Sequence, residues 1–309
     1  MEAMNTPRLL IIGGTGYIGH HLLKSVQQKG WQMTSVSLNS PTKERFVDGT
    51  RYLHLDLADK ILVKKHLDEE FDYVVNLGGY INHNLFKDGG RHLIKNHFSA
   101  LQTLLEVLPR RKLKRFVQIG SSDEYGNTKA PQHEGLREQP ISPYSLAKVA
   151  STHFLQMLNR TENFPSVILR LFLTYGPGQD MGRFLPLTIR GCLDNAKFPT
   201  SNGEQLRDFC YVEDSVGAIL KALDVSEAEG EVFNVASGVP VSIRTMIEKV
   251  CEFTGSGNPQ YGDLPYRPGE NMALYADISK AKNILQWEPT TTLDEGLQKT
   301  VDWYTKNHA

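Results

Sequence analysis

Short apolar runs and longer amphipathic segments alternate along the first half of the chain. Four to seven consecutive apolar positions indicate buried strands, and apolar residues recurring every three or four positions indicate helices. The predicted order is strand 8–13, helix 17–29, strands 32–38 and 52–55, helix 60–70, strand 73–77, helix 92–107, strand 115–119, helix 144–160 and strand 166–172. This alternation predicts an α/β fold built on a doubly wound parallel sheet of the Rossmann type.

The second half of the chain does not continue this alternation. Proline and glycine are frequent between positions 174 and 207, which predicts loops and short elements over the carboxyl edge of the sheet, where open α/β sheets bind ligands. We therefore predict a dinucleotide-binding domain at 1–172 and a smaller substrate-binding region at 173–309. A helix after Val212 and a strand at 231–235 predict that residues 208–236 rejoin the first domain.

Composition excludes several classes of function. A formal net charge of −1 over 309 residues gives no field that would attract nucleic acid or an anionic membrane. The three cysteines have neither metal nor redox spacing, and the ten histidines form no metal-binding group, so no metal is predicted. Without a leader-like N-terminus or an apolar stretch of membrane-spanning length, the protein is expected to be soluble and cytoplasmic.

A glycine-rich turn, Gly-Gly-Thr-Gly-Tyr-Ile-Gly, occupies residues 13–19 directly after the first predicted strand. Glycines allow a tight turn from strand to helix, and they let backbone N–H groups approach a pyrophosphate at the positive end of the helix. A tight turn without a ligand is the alternative. The residues predicted to hold the phosphates are Gly13, Gly16, Tyr17, Ile18 and Gly19.

Tyr144 and Lys148 form a second motif, because their i,i+4 spacing puts both side chains on one face of a predicted helix. A free phenol, with a pKa of about 10, is a weak base near neutrality, whereas a neighbouring ammonium favours the phenolate. We therefore expect Lys148 to lower the pKa of Tyr144, which would exchange a proton with a substrate oxygen. A solvent-facing Tyr-Lys pair is the alternative.

With both motifs in this order, the chain resembles the extended short-chain dehydrogenase/reductase family that acts on nucleotide sugars. The likeness covers nearly the whole chain. It includes Asp56-Leu57 after the third strand, Asn96 before the fifth, and the segments 120–126, 207–212 and 267–270. The resemblance implies an NAD(P)-dependent oxidoreductase that works at C4 of a nucleotide-diphosphate sugar.

The resemblance also implies roles for individual residues. Ser121 would hydrogen-bond the reacting oxygen and orient Tyr144, and Lys148 would hold the cofactor ribose. The implied catalytic set is Tyr144, Lys148, Ser121, Ser122, Asp123 and Asn96. The implied cofactor contacts, besides the glycine turn, Tyr144 and Lys148, are Ser37, Asn39, Ser40, Arg45, Asp56, Leu57, Leu77, Gly78 and Gly79. The implied substrate contacts are Ser122, Tyr144, Leu173, Arg207 and Arg267, with structural ion pairing as the alternative for both arginines.

The segment Ser121-Ser122-Asp123-Glu124 bears on the type of reaction. Relatives that eliminate water carry adjacent Asp-Glu directly after the catalytic hydroxyl. In an ungapped count Ser121 is that hydroxyl and Ser122 takes the acid position. With a one-residue deletion, Ser122 becomes the hydroxyl and Asp123-Glu124 the acid–base pair. We favour the ungapped count, and residues 120–126 look closer to reductases of nucleotide 4-keto-6-deoxy sugars.

Two positions depart from the family pattern. Leu173 stands where relatives usually place an asparagine that contacts the substrate, so we expect an altered sugar pocket. Gly78-Gly79 follows the fourth strand where small alanines are usual. This second departure predicts extra backbone freedom or a closer approach to the cofactor.

The end of the second predicted strand bears on cofactor choice. An NAD-preferring site carries a carboxylate about 20 residues past the glycine turn, whereas residues 36–40 of this chain contain no acid. Ser37, Asn39 and Ser40 could hydrogen-bond a 2′-phosphate, and Lys43 or Arg45 could neutralise it. NADP(H) is therefore the expected cofactor, with NAD as the alternative because serine also tolerates it.

Four functions remain open from the sequence. The first is a reductase of a 4-keto sugar, followed by a C4 epimerase that reuses its bound cofactor and a 4,6-dehydratase. The fourth is a dinucleotide-binding regulator without catalysis, against which the Ser-Tyr-Lys set argues.

A homodimer is also expected, because two predicted helices carry more apolar residues than one sheet contact requires. The alternative is that all of them face the chain's own sheet. The residues concerned are Leu93, Ile94, Leu101, Leu104, Leu105, Val149, Phe154, Leu155 and Leu158.

Overall fold

A large parallel sheet organises the computed structural model, which describes residues 6–266 and 269–307. Its seven strands are ordered β10-β6-β5-β4-β1-β2-β3, with all pairs parallel. Within the described residues the strands are β1 Arg8–Ile12, β2 Gln32–Ser37, β3 Thr50–His54, β4 Tyr73–Asn76, β5 Arg115–Ser121, β6 Ser166–Leu171, β7 Leu173–Tyr175, β8 Lys197–Thr200, β9 Leu206–Tyr211, β10 Val232–Val235, β11 Pro240–Ser242, β12 Asn258–Tyr261 and β13 Ala273–Leu274. The predicted α/β class with a Rossmann-type sheet is confirmed.

Helices cover both faces of this sheet, so its central strands are buried along their whole length. Every position of β5 and β6 is buried, as expected for parallel strands between two helical layers. The helices of the described chain are α1 Tyr17–Gln27, α2 Lys60–His66, α3 Gly90–Ile94, α4 Ala100–Val107, α5 Pro143–Glu162, α6 Phe184–Leu193, α7 Val212–Asp224, α8 Ile243–Thr254, α9 Ser279–Asn283 and α10 Leu293–Lys306. One apolar core lies between the sheet and α1 and α7, and another lies between the sheet and α2, α4 and α5.

The remaining strands form a smaller body beyond the carboxyl edge of the sheet. Strand β9 pairs with β7 and β13 in parallel and with β11 antiparallel, while β8 and β12 form a separate pair. Helices α6, α8 and α10 contribute to a third core. Loops and short elements were expected at 174–207, so the ten-residue α6 was missed. Its Pro186 lies in the first turn, where a helix tolerates proline.

The apolar residues behind the dimer prediction lie mostly inside the protein. Six of the nine are buried in the chain's own core, and Ile94, Val149 and Phe154 are half-buried. The surface of α5 retains Leu146, which is 49% exposed, and Met157, which is 38% exposed. The apolar surface left for a partner is therefore smaller than the sequence pattern indicates. Among the described residues, no helix is long and apolar enough to cross a bilayer.

Candidate active site

The glycine turn brings β1 and α1 into close contact. Gly13 has a φ of +81°, and its carbonyl accepts the N–H of Gly16 at 3.0 Å. A Cβ on Gly19 would lie 2.3 Å from the Gly13 oxygen, so no larger residue fits there without displacing backbone. Gly16 precedes α1 and no side chain caps this helix. The first-turn N–H groups and the positive end of the helix therefore form a cradle suited to a pyrophosphate.

The side chains of Tyr17 and Ile18 pack into apolar cores, whereas that of Ser37 contacts the glycine turn. The phenol of Tyr17 packs in the third core beside Tyr304, and burial raises its pKa, so only the backbone of Tyr17 belongs to the cradle. Ile18 packs against the first core. The Ser37 hydroxyl accepts the N–H of Thr15 at 3.4 Å, which places the end of β2 against the turn.

The cations expected to recognise a 2′-phosphate are not equivalent. Arg45 donates to the Gly178 carbonyl at 3.0 Å and to Asp180 Oδ1 at 2.6 Å, so its charge is already paired by a distant segment. Lys43 is exposed, as is Asn39. Ser40 hydrogen-bonds His54 Nε2 at 3.3 Å. Of the two expected phosphate ligands, Arg45 is thus already paired in this structure, whereas Lys43 is exposed.

The ends of β3 and β4 complete the predicted cofactor side. Asp56 is exposed and accepts the N–H of Ala58 at 2.9 Å, and Leu57 packs against the second core. The N–H of Leu77 donates to the Ile12 carbonyl at 3.0 Å. A Cβ on Gly78 would lie 2.9 Å from Ile12 Cγ2, so strand packing explains this glycine.

Helix α5 presents Tyr144 and Lys148 to the carboxyl end of β5. Ser142 caps the helix through a reciprocal bond with Ser145, and Pro143 occupies the first helical position. Both Tyr144 and Lys148 are buried. Lys148 Nζ donates to the Ile119 carbonyl at 2.8 Å and lies 5.9 Å from the centre of the Tyr144 ring. The structure thus brings the predicted Tyr-Lys pair together inside the protein, not on a solvent-facing surface.

The electrostatics of this pair differ from the expectation. Burial raises the pKa of Tyr144 and the Asp123 carboxylate adds to the effect, while a hydrogen bond with Ser121 opposes it. Burial lowers the pKa of Lys148 to about 8, against the attraction of Glu124. The expectation that Lys148 lowers the pKa of Tyr144 is therefore wrong for this structure. Tyr144 is protonated near neutral pH and is suited to donate a proton.

His97, not Asn96, contacts Tyr144 from the helix before β5. A single π-helical turn spans Lys95–Ser99 between α3 and α4, and such a turn inserts one extra residue. Asn96 is exposed, whereas His97 is buried with its ring 5.1 Å from that of Tyr144 and nearly perpendicular to it. His97 Nε2 lies 3.0 Å from the Tyr80 carbonyl. Burial lowers the pKa of His97 to about 3, so the imidazole is neutral near neutral pH.

The same histidine explains the second glycine of the Gly78-Gly79 departure. Gly79 has a φ of +115°, and a Cβ there would lie 2.1 Å from His97 Cε1. An alanine at this position would displace the imidazole that supports Tyr144. Gly79 and His97 therefore form one packing arrangement, in which the missing side chain of the glycine leaves room for the imidazole.

Gly79→Ala should lower the free energy of unfolding more than Gly30→Ala. Gly30 also has a positive φ, +71°, but its added Cβ would meet no atom within 4 Å. Backbone strain alone costs about 1–2 kcal/mol, and overpacking against His97 adds about 1–3 kcal/mol. Urea unfolding of both variants measures the difference. Adding His97→Ala to Gly79→Ala should recover part of the loss, and strict additivity would contradict the packing explanation.

The segment after β5 separates its two carboxylates. Ser121 caps a short helical turn over Ser122–Tyr125, and its hydroxyl accepts the N–H of Asp123 at 3.1 Å. Glu124 is fully buried, and it accepts hydrogen bonds from the Ser121 N–H, the Thr152 hydroxyl and Arg170 Nε at 2.8–2.9 Å.

Asp123 instead faces His83, with Oδ2 2.8 Å from Nε2. Ser122 is buried at the start of the turn. Asp123 and Glu124 therefore have different partners in this structure, one at an exposed histidine and the other in the core.

The predicted substrate residues are spread over the smaller body. Leu173 at the start of β7 is 38% exposed. Arg207 donates to the Leu206 carbonyl at 2.7 Å and forms an ion pair with Glu270. Arg267 lies outside the described residues. Among the described residues, no group of three or more His, Cys, Asp and Glu side chains is arranged to hold a metal ion.

Together the seven-stranded sheet, the glycine cradle and the buried Ser-Tyr-Lys cluster define a Rossmann-type dinucleotide-binding protein. A profile of the NAD dependent epimerase/dehydratase family matches residues 9–236. This chain belongs to that family, among the extended short-chain dehydrogenases/reductases, and is an enzyme of the NAD-dependent epimerase/dehydratase type. The resemblance inferred from the motifs is confirmed.

Similar proteins extend over the whole chain. A probable dTDP-glucose 4,6-dehydratase of Sinorhizobium fredii is 26% identical, with coverage of 97% of this chain and 93% of that protein. The solved UDP-glucose 4-epimerase of Thermotoga maritima, with UDP-glucose, is 26% identical with a TM-score of 0.88, covering 98% and 100% of the two chains. The UDP-glucuronic acid 4-epimerase of Bacillus cereus, solved with UDP-glucuronic acid and NAD, is 27% identical with a TM-score of 0.86, covering 97% and 100%.

Proposed function

We propose that this protein is an NAD(P)-dependent oxidoreductase that reduces the C4 ketone of a nucleotide-diphosphate 4-keto-6-deoxy sugar. The observation that carries the proposal is the cluster of Ser121, Tyr144 and Lys148 at the carboxyl end of β5. The glycine cradle on α1 fits the pyrophosphate of a dinucleotide, and the bound dinucleotide would supply the hydride. Relatives named for activity on dTDP-glucose, UDP-glucose and UDP-glucuronic acid support a nucleotide-sugar substrate.

The chain's own residues would handle the proton and the oxygen. Tyr144 is protonated near neutral pH, so it can donate its proton to the alkoxide that develops as the ketone is reduced. The Ser121 hydroxyl holds the phenol and can hydrogen-bond the same oxygen. Lys148 is held by the Ile119 carbonyl beside the phenol and keeps donors available for a ribose hydroxyl.

Two further observations favour a reductase over a dehydratase. Glu124 is fully buried with both oxygens engaged, so it is not placed to serve as the second member of an adjacent acid–base pair. The exposed apolar side chain of Leu173 suits a sugar less polar than a fully hydroxylated hexose.

The test is an assay with a nucleotide 4-keto-6-deoxy sugar and NADPH. We expect loss of reduced-nicotinamide absorbance in proportion to the ketone supplied. Conversion of an unsubstituted nucleotide hexose to its C4 epimer, without net cofactor consumption, would instead make the protein an epimerase. Absence of turnover with every nucleotide sugar would favour the regulatory alternative.

A C4 epimerase is the second candidate, and the solved relatives favour it. This chain matches the full length of both solved 4-epimerases described above. An epimerase takes hydride from C4 and returns it to the opposite face, so its cofactor ends unchanged and stays bound. Dinucleotide that copurifies with the protein and resists dialysis would favour this reading.

For the cofactor, we propose NADP(H) over NAD(H). No acid stands at the end of β2, and the exposed Lys43 is one of the two cations expected to meet a 2′-phosphate. Fluorescence titration should show tighter binding of NADPH. Lys43→Met should weaken NADPH but not NADH, whereas Lys65→Met, an exposed lysine on α2, should change neither. NADH binding about ten times more tightly than NADPH would overturn this preference.

We also retain the homodimer as a proposal. Its support is the exposed apolar surface at Leu146 and Met157 on α5, next to the half-buried Phe154. Light scattering at micromolar concentration should give twice the mass of the chain. A monomeric mass would contradict it.

A further inference from the structure

A histidine–aspartate pair lies beside Tyr144 and takes no part in the reduction described above. His83 follows β4 and Asp123 follows β5, two neighbouring strands whose carboxyl ends meet at the same edge of the sheet. His83 Nε2 and Asp123 Oδ2 are 2.8 Å apart. The His83 ring lies 5.9 Å from the Tyr144 ring and meets it edge-on. The pair is therefore next to the group that meets the substrate oxygen.

The hydrogen bond gives the two residues distinct roles. An ionised carboxylate only accepts hydrogen bonds, so His83 Nε2 is the donor, and in the neutral imidazole Nδ1 then carries the lone pair. The same logic orients a histidine base in hydrolytic triads. The side chains of His83 and Asp123 are 46% and 28% exposed, so the pair is open to solvent and is not enclosed in the core.

The chemistry next to a ketone provides a use for such a base. A carbonyl makes the C–H bonds on its two flanking carbons acidic, because the resulting charge moves onto the carbonyl oxygen. Tyr144 and Ser121 are hydroxyl donors placed at that oxygen in the proposed function, and they would stabilise the charge. A base within reach of a flanking carbon would complete the groups needed to remove its proton and to stabilise the charge that forms on the carbonyl oxygen.

We propose that His83, oriented by Asp123, is a catalytic base that exchanges the proton on one carbon flanking the C4 ketone. This inference rests on the proposed function, since it requires a 4-keto nucleotide sugar. The C–H bond breaks and its proton goes to His83 Nδ1. The electron pair forms a carbon–carbon double bond, and the carbonyl pair moves to the oxygen. Return of a proton from the imidazolium to the same carbon restores the ketone, with no oxidant or reductant consumed.

Proton exchange with solvent tests this step without hydride transfer. The intact chain is incubated in D₂O with a nucleotide 4-keto-6-deoxy sugar and no reduced nicotinamide, and deuterium is located by NMR and mass spectrometry. We expect deuterium at one flanking carbon, faster than in a protein-free sample. His83→Gln keeps a donor to Asp123 but no base, and should slow the exchange at least about 100-fold. Asp123→Asn should slow it as well.

A second histidine–carboxylate pair provides the matched control. His153 Nε2 lies 3.2 Å from Glu138 Oε2, with His153 exposed on α5. His153→Gln should leave exchange and reduction unchanged. Circular dichroism of each variant confirms that it folds.

Reduction without enzyme-dependent exchange at either flanking carbon would overturn this inference and leave the proposed function intact. Exchange that persists in both His83→Gln and Asp123→Asn would also overturn it. Failure of reduction and exchange together, with every 4-keto sugar supplied, would reject both proposals.

Discussion

Replacing Tyr144 by phenylalanine is expected to slow reduction of the 4-keto sugar by about 10²–10⁴-fold. The substitution removes one oxygen from a buried side chain and leaves the ring that packs against His97. Burial raises the pKa of Tyr144, so the wild-type phenol holds its proton until the alkoxide develops. Phenylalanine offers no proton, and the charge on the oxygen remains uncompensated.

The decisive measurement separates chemistry from binding. Single-turnover reduction with saturating NADPH should show the loss, while titration should show little change in dinucleotide affinity. Tyr52→Phe is the matched control, because Tyr52 lies on β3, separated from β5 by β2, β1 and β4, where its hydroxyl accepts the N–H of Val47. Equal turnover of Tyr144→Phe and wild type would remove Tyr144 from the mechanism.

Features set by local backbone geometry were predictable from the sequence. The turn at residues 13–19 needs glycine for its own conformation, and the i,i+4 spacing of Tyr144 and Lys148 fixes a shared helix face. Alternating strand and helix patterns also defined the parallel sheet. These signals lie within a few residues of one another, so no tertiary information was required.

Features that depend on distant partners were not predictable. Arg45 and Arg207 are candidate phosphate ligands in the sequence, with ion pairing as the alternative for Arg207, but the sequence does not show that their partners are Asp180 and Glu270, 135 and 63 residues away. The π-helical turn places His97, and not Asn96, at the site, and no local propensity indicates such a turn. Burial raises the pKa of Tyr144, whereas the spacing to Lys148 predicts a lowered pKa. Spacing along a helix does not show whether the phenol is buried.

The buried ion pair between Arg170 and Glu124 is the clearest case of such a distant partnership. Arg170 Nε lies 2.9 Å from Glu124 Oε2, and both side chains are at most 1% exposed. Burial alone would lower the pKa of Arg170, but Glu124 and Tyr125 hold it above its usual value. Arg170 also donates to Glu138 at 2.5 Å, so one guanidinium joins β6 to the segment after β5.

Arg170→Met should therefore lower the free energy of unfolding by about 3–5 kcal/mol, because it leaves the Glu124 carboxylate buried without its cation. Urea unfolding at neutral pH measures the loss. Arg111→Met is the matched control: Arg111 bonds Glu70 at 2.7 Å on the surface, and its removal should barely move the midpoint.

Adding Glu124→Gln to Arg170→Met tests the electrostatic cause. A neutral amide can still accept the Ser121 N–H, so the double variant should be more stable than Arg170→Met alone. If the second substitution lowers stability further by its full single-variant cost, packing and not the unpaired charge accounts for the effect of Arg170. Because Glu124 accepts the N–H of Ser121 itself, the same pair holds the hydroxyl that contacts Tyr144. The amide that replaces the carboxylate can still accept the Ser121 N–H, so turnover of the double variant should rise together with its stability, relative to Arg170→Met alone.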